Sequence, residues 1–173
     1  MEIRNAQANE TDAIMEMMEN AKRFMATHGN PDQWNGSYPE RELIEEDIRL
    51  GRGYVCAEGA HVYAYFMLLK GDEPDYRVID GAWLNDLPYM TLHRIASTGE
   101  RPGMADLIVR WSLLQCQNLR GDTYKDNLPM QRAFERNGFL PCGTIWIDGR
   151  KDMPRIAYHR PPKPGEAEGC ACG

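Results

Sequence analysis

Residues 89–119 read YMTLHRIASTGERPGMADLIVRWSLLQCQNL, and the order of signals within them decides the fold. Tyr89 to Ser97 predicts a strand, and a glycine-bearing turn follows. Gly103 to Leu119 then predicts a helix that buries Met104, Leu107, Ile108, Trp111 and Leu114 on one side. A helix N-terminus leaves its first N–H groups unpaired and carries about half a positive charge, which suits a phosphate. Gly103 and the small Ala105 keep side chains out of the way of a pyrophosphate approaching the backbone. The same pattern also suits an ordinary structural turn, so its meaning depends on what flanks it.

Upstream, Glu2 to Ala6 predicts a short strand. A helix follows from Asn9 or Thr11, with Ile14, Met17, Met18, Ala21 and Met25 as its core stripe. Asn30 to Tyr38 reads as a loop, and Pro39 opens a second helix, Glu40 to Leu50. Tyr54 to Glu58 and Val62 to Leu69 form a hairpin at Gly59-Ala60, and Asp72 to Pro88 is a long connection. Downstream, a strand over Leu119 to Thr123 leads to a helix from Leu128, capped by Asn127 and stopped at Asn137-Gly138. Phe139 to Asp148 and Arg155 to His159 close the order β-α-α-β-β-β-α-β-α-β-β. Hairpins demand antiparallel neighbours and strand–helix–strand crossovers demand parallel ones, so the sheet is mixed.

The 173 residues suffice for one domain with a sizeable core. Lys plus Arg number 20 against 26 Asp plus Glu, a formal charge of −6, which argues against broad nucleic-acid binding. No apolar run approaches the roughly 20 residues that span a bilayer, and MEIRNAQ is no signal-peptide core. No membrane association and a cytoplasmic location are therefore expected. The five cysteines are widely spaced and argue against a disulfide framework. Residues 161–173, with Cys170 and Cys172, read as a flexible C-terminal tail following a 1–160 domain.

Three features together, the element order, the Ile95–Ala105 junction and DTYKDNLPMQRAFERNGF (Asp122 to Phe139), resemble the GCN5-related N-acetyltransferase (GNAT) superfamily up to about Arg160. The resemblance implies a mixed, mostly antiparallel α/β sheet of about six to seven strands flanked by about four helices, with a splayed central strand pair. It implies acetyl-CoA as co-substrate, with no metal, and acetyl transfer to a primary amine by direct attack. Backbone groups of Ile95, Ala96 and Ser97 would run along the pantetheine arm, and the Ile95 N–H would polarise the thioester carbonyl. Backbone N–H groups from Arg101 through Gly103 and Met104 to Ala105 would hold the pyrophosphate. Asn127 would bond the arm or the adjoining phosphate region, and Met130 and Phe134 would pack near the sulfur.

Two positions depart from the family pattern. Glu100 stands where the loop usually opens with Gln or Arg, and it is expected to face solvent, which leaves Arg101 to contact the cofactor. Phe134 stands where a Tyr commonly protonates the leaving thiolate, and a phenyl ring cannot do so. The proton chemistry then falls to other groups. Strand alternation puts Tyr89, Thr91, His93 and Ile95 on one face, which makes His93 the candidate base, since a free imidazole titrates near neutral pH. Tyr124 is the candidate acid. Trp34, Tyr38, Trp83 and Tyr89 lie in loops that would border an acceptor cleft.

The acceptor is expected to be a small-molecule or peptide amine, and the chain a monomer or homodimer. Cys116, well along a helix, reads as core rather than as a ping-pong nucleophile. The rival readings are a non-catalytic acyl-CoA sensor or scaffold, and an interaction protein that uses the fold without cofactor.

Overall fold

The computed structural model describes residues 1–34 and 36–166; Cys170 and Cys172 lie outside the described residues. Twelve regular elements follow in chain order: β1 (Glu2–Asn5), α1 (Thr11–Thr27), α2 (Arg41–Arg49), β2 (Gly53–Glu58), β3 (His61–Lys70), β4 (Asp80–Gly81), β5 (Met90–Ser97), α3 (Met104–Gln115), β6 (Leu119–Thr123), α4 (Leu128–Arg136), β7 (Leu140–Trp146) and β8 (Pro154–Arg160). The strands form one mixed sheet in the order β1-β2-β3-β5-β6-β8-β7-β4, with β5 and β6 parallel. Eight strands rather than six to seven are present because β4, only two residues long, was not legible as a strand. No helix among the described residues is long and apolar enough to cross a membrane.

The chain divides into two compact units, residues 1–68 with 93–108 and residues 69–92 with 109–173. In the first, α1 turns Ile14, Met17 and Met18 inward at helical spacing against Ile44 of α2, Val55 and Ala57 of β2, and Tyr65 of β3. Each such fully buried side chain contributes roughly 1.5–3 kcal/mol of transfer free energy. Trp34 and Ala96 belong to the same core.

In the second unit, Tyr76, Ile145 and Ala157 form a core flanked by Trp83 and Tyr89. Strand β4 is fastened there by two glycines. A Cβ on Gly81 would lie 2.1 Å from the Cys142 carbonyl oxygen, and one on Gly143 would lie 2.1 Å from the Asp80 carbonyl oxygen. Cys142 is skipped in the register between β7 and β8, the mark of a bulge. Leu114 of α3, expected inside, is 76% exposed, because the buried stripe of that helix runs through Ile108, Val109 and Ser112 instead. At the end of the described residues, buried Arg160 grips Glu166 at 2.5 and 2.9 Å.

Candidate active site

In the first unit the glycine turn has the form its sequence predicts. Thr98, just past β5, donates its N–H to the Tyr63 carbonyl of β3 at 2.9 Å. Successive backbone groups of a strand point to opposite edges, so the N–H groups of Ser97 and Ile95 point away from β3. Gly103 has φ of 79°, a conformation other residues resist, and no atom lies within 4 Å of where its Cβ would be. Leu107 N–H to the Gly103 carbonyl, at 3.0 Å, is an opening bond of α3, and the N–H groups of Met104 and Ala105 precede it. Pro102 has no N–H to offer. Glu100 faces solvent beside exposed His61 at 3.2 Å. Arg101 is engaged within the protein, forking onto Glu58 at 3.0 and 2.7 Å with its guanidinium 4.5 Å from the Tyr63 ring centre. The Arg101–Glu58 pair is exposed and therefore weak, so an anion can compete for it.

Strand β5 does not alternate as expected. Arg94 has φ of 51°, in the left-handed region, which breaks the strict pleat between His93 and Ile95. The alternation on which a shared face of Tyr89, Thr91, His93 and Ile95 was expected is therefore interrupted at Arg94. Arg94 reaches Asp47 of α2 through Nε and Nη2, each at 2.9 Å. Asp47 is fully buried and also accepts Arg52 Nε at 2.8 Å and the Tyr65 hydroxyl at 3.0 Å. Burial opposes the charge on Arg94, but Tyr38 and Asp47 outweigh it and raise its pKa. Burial beside Asp47 pushes the Tyr65 hydroxyl far up as well. Asp47 was missed, yet a signal existed: it stands at core spacing beside Ile44 and Ile48.

In the second unit the parallel ladder joins Met90 to Leu119, Thr91 to Arg120 and Leu92 to Gly121, and ends there. Strand β8 follows β6 further, to Thr123. Asn127 caps α4, its side-chain oxygen accepting the Met130 N–H at 3.2 Å, and Met130 is half-buried. Phe134 is 1% exposed, its ring 4.8 Å from Phe139 and 5.2 Å from Tyr158. A Cβ at Gly121 would meet Phe134 Cζ at 2.8 Å. The ring occupies the space that a side chain on β6 would need. The buried Tyr158 hydroxyl donates to Glu135 at 3.3 Å, and burial pushes its pKa up to about 12, so it keeps its proton at neutral pH.

The four aromatic candidates have different surroundings. Trp34 is core, 8% exposed, whereas neighbouring Tyr38 is 38% exposed. Trp83 and Tyr89 already hold a cation of the protein itself: the Arg120 guanidinium lies 4.2 and 3.9 Å from their ring centres. Arg120 donates to the Asn85 carbonyl at 2.8 Å, and burial lowers its pKa. Beside it, buried His159 accepts the Leu84 N–H at Nδ1 and donates from Nε2 to Asn118 at 3.1 and 2.8 Å. Burial, helped by Arg120, brings the His159 pKa down to about 4.

Tyr124 lies 5.0 Å from the Arg155 guanidinium, measured to the ring centre. Tyr76, fully buried, donates to Asp122 at 2.7 Å, a pair that the sequence reading passed over. Cys116, 2% exposed, lies in the core just past α3, as expected. No group of His, Cys, Asp or Glu arranged to hold a metal occurs among the described residues.

A mixed sheet with a short parallel ladder, a glycine turn opening onto a helix N-terminus, and an asparagine-capped helix make this a mixed α/β chain. A GNAT-family acetyltransferase from Streptococcus agalactiae 2603 is 33% identical to it, with 92% of this chain and 94% of that chain covered and a TM-score of 0.83. The chain belongs to the GNAT family. The fold recurs in a GNAT-family acetyltransferase from Listeria monocytogenes 4b F2365, at 18% identity, 91% and 92% coverage and TM-score 0.67. It recurs also in the aminoglycoside acetyltransferase AAC(6')-Ib, solved with coenzyme A and kanamycin, at 14% identity, 91% and 92% coverage and TM-score 0.59. No family model and no curated protein matches the sequence.

Proposed function

We propose that the chain is an N-acetyltransferase that moves an acetyl group from acetyl-CoA to a primary amine by direct attack, acting in the cytoplasm. The observation that carries this beyond family membership is the turn before α3. Gly103 leaves open the space where a side chain would stand, at the mouth of a helix whose first N–H groups point outward. That cradle suits a pyrophosphate. A similar chain, the aminoglycoside acetyltransferase, was solved with coenzyme A.

When bound, acetyl-CoA supplies the acyl group and a thiolate leaving group. The Ile95 N–H, on the edge of β5 away from β3, polarises the thioester carbonyl, and the Ser97 backbone steadies the pantetheine arm. Ala96 fixes that stretch by packing into the core. Arg101, Gly103, Met104 and Ala105 hold the pyrophosphate, and Arg101 exchanges Glu58 for phosphate. Asn127, Met130 and Phe134 serve the arm and the sulfur. His93 deprotonates the amine, and Tyr124 or Tyr158 returns a proton to the thiolate. Tyr38, the most exposed of the four aromatic candidates, is open to an amine acceptor; Trp83 and Tyr89 meet it only around Arg120.

Titration calorimetry with acetyl-CoA and with CoA tests the reading, and binding of both is expected. Release of free thiol across a panel of small amines and peptides then tests turnover. Phe134, without a hydroxyl, favours one second reading, a non-catalytic acyl-CoA sensor. Binding without thiol release across the panel would support that reading instead.

A further inference from the structure

Arg94 is a side-chained residue held at φ of 51° in the middle of a strand. The left-handed conformation costs such a residue roughly 1–2 kcal/mol, so something must hold it there. Its guanidinium forks onto Asp47, whose carboxylate takes two further donors, Arg52 and Tyr65. The Arg94 side chain is 9% exposed and that of Asp47 wholly buried. Gly53 keeps this place clear, since a Cβ there would lie 2.9 Å from the Tyr65 hydroxyl. Buried ion pairs seldom add stability over a well-packed apolar core, so stability alone is a poor account of this one.

The neighbours of Arg94 suggest a better account. Ala96 is locked in the core, and the Thr98 N–H is locked onto Tyr63. With Arg94 fixed by Asp47, positions 94, 96 and 98 are all held, which sets the direction of the intervening Ile95 and Ser97 N–H groups. We infer that the Asp47–Arg94 pair positions the Ile95 N–H toward the thioester carbonyl, making both residues positioning residues for discrimination of acetyl-CoA from CoA. Tyr38, which bears on the same guanidinium, ties the loop before α2 to this strand. The inference rests on the acetyl-CoA reading, because only the thioester distinguishes the two ligands.

The test compares affinities for acetyl-CoA and CoA, by calorimetry, in the wild type, Arg94→Gln, Arg94→Gly, Asp47→Asn and Ile14→Val. Glycine adopts the φ of residue 94 freely but carries no guanidinium, and Ile14→Val loosens the same core away from the pair. Each variant is first shown to melt cooperatively, and Asp47→Asn stands in if an Arg94 variant does not fold. The preference for acetyl-CoA is expected to shrink about fivefold in Arg94→Gln, Arg94→Gly and Asp47→Asn, the worth of one hydrogen bond, and to stay unchanged in Ile14→Val. A wild-type preference retained in Arg94→Gly overturns the inference, as does an equal loss in Ile14→Val.

Hydrogen exchange of residues 93–98 gives a ligand-free readout. Faster exchange in the Arg94 and Asp47 variants than in Ile14→Val is expected, and equal exchange overturns the inference. A wild type that binds neither ligand overturns the acetyl-CoA reading, and one that binds both equally overturns the inference but not that reading, while the exchange result decides separately whether the pair holds the strand.

Discussion

Gly103 and Gly121 stand at matching moments of the chain, one at the end of the turn after β5 and the other within β6, yet they are glycine for opposite reasons. Around Gly103 the space is open and the backbone conformation is unusual. At Gly121 the backbone is ordinary and the space is filled by the Phe134 ring, itself wedged against Phe139 and Tyr158. The first unit thus spends its glycine on a shape that a ligand can enter, and the second on packing. Substitutions should separate accordingly, with losses of stability in the second unit and losses of ligand affinity in the first.

Phe134→Ala should break the packed side most severely. Emptying so buried a ring is expected to cost about 3–5 kcal/mol in chemical denaturation. A cost below about 1 kcal/mol would show that Phe134 is not the wedge described. Acid tests the same unit without mutation. His159 is held neutral, its pKa down at about 4 against an ordinary value of about 6.5. The unfolded chain therefore binds the extra proton first as pH falls. The stabilisation is complete above about pH 6.5 and is lost between there and about pH 4, amounting to roughly 3 kcal/mol. Melting temperature against pH, with the His159 ring followed by NMR, should show the loss; a ring that protonates near pH 6.5 removes the explanation.

Gly121→Ala should cost about 1–3 kcal/mol by crowding Phe134, and Phe134→Leu should restore part of it. Failure of that rescue would mean that the clash lies elsewhere. The smallest change in stability belongs to the open side. Gly103→Ala should cost only about 1 kcal/mol, from backbone strain without a clash. The bulkier Gly103→Trp, by contrast, should abolish CoA binding in calorimetry while the domain still melts cooperatively. Undiminished binding there would end the parallel between openness and ligand.

The regular elements were legible because periodicity is local. The Ile14–Met17–Met18 stripe, the Asn127 cap and the Gly103 turn each announce themselves within one or two turns of chain. What escaped depends on partners far away in sequence. The Arg94 conformation has no compositional sign, and a strict alternation cannot be extrapolated through it. Trp83 and Tyr89 looked like a cleft for a foreign cation because Arg120, their actual partner, lies more than thirty residues downstream of both. Phe134 was legible as a missing hydroxyl, but its fit over Gly121 required the fold.

The facing glycines of β4 and β7 impose one more rule on the chain. At Gly81 and at Gly143 the obstacle to a side chain is the opposite main chain, and no substitution can trim a carbonyl. A change at either position therefore has no second-site suppressor among the side chains. Lineages carrying this strand pair would have to keep both glycines or lose the pairing altogether.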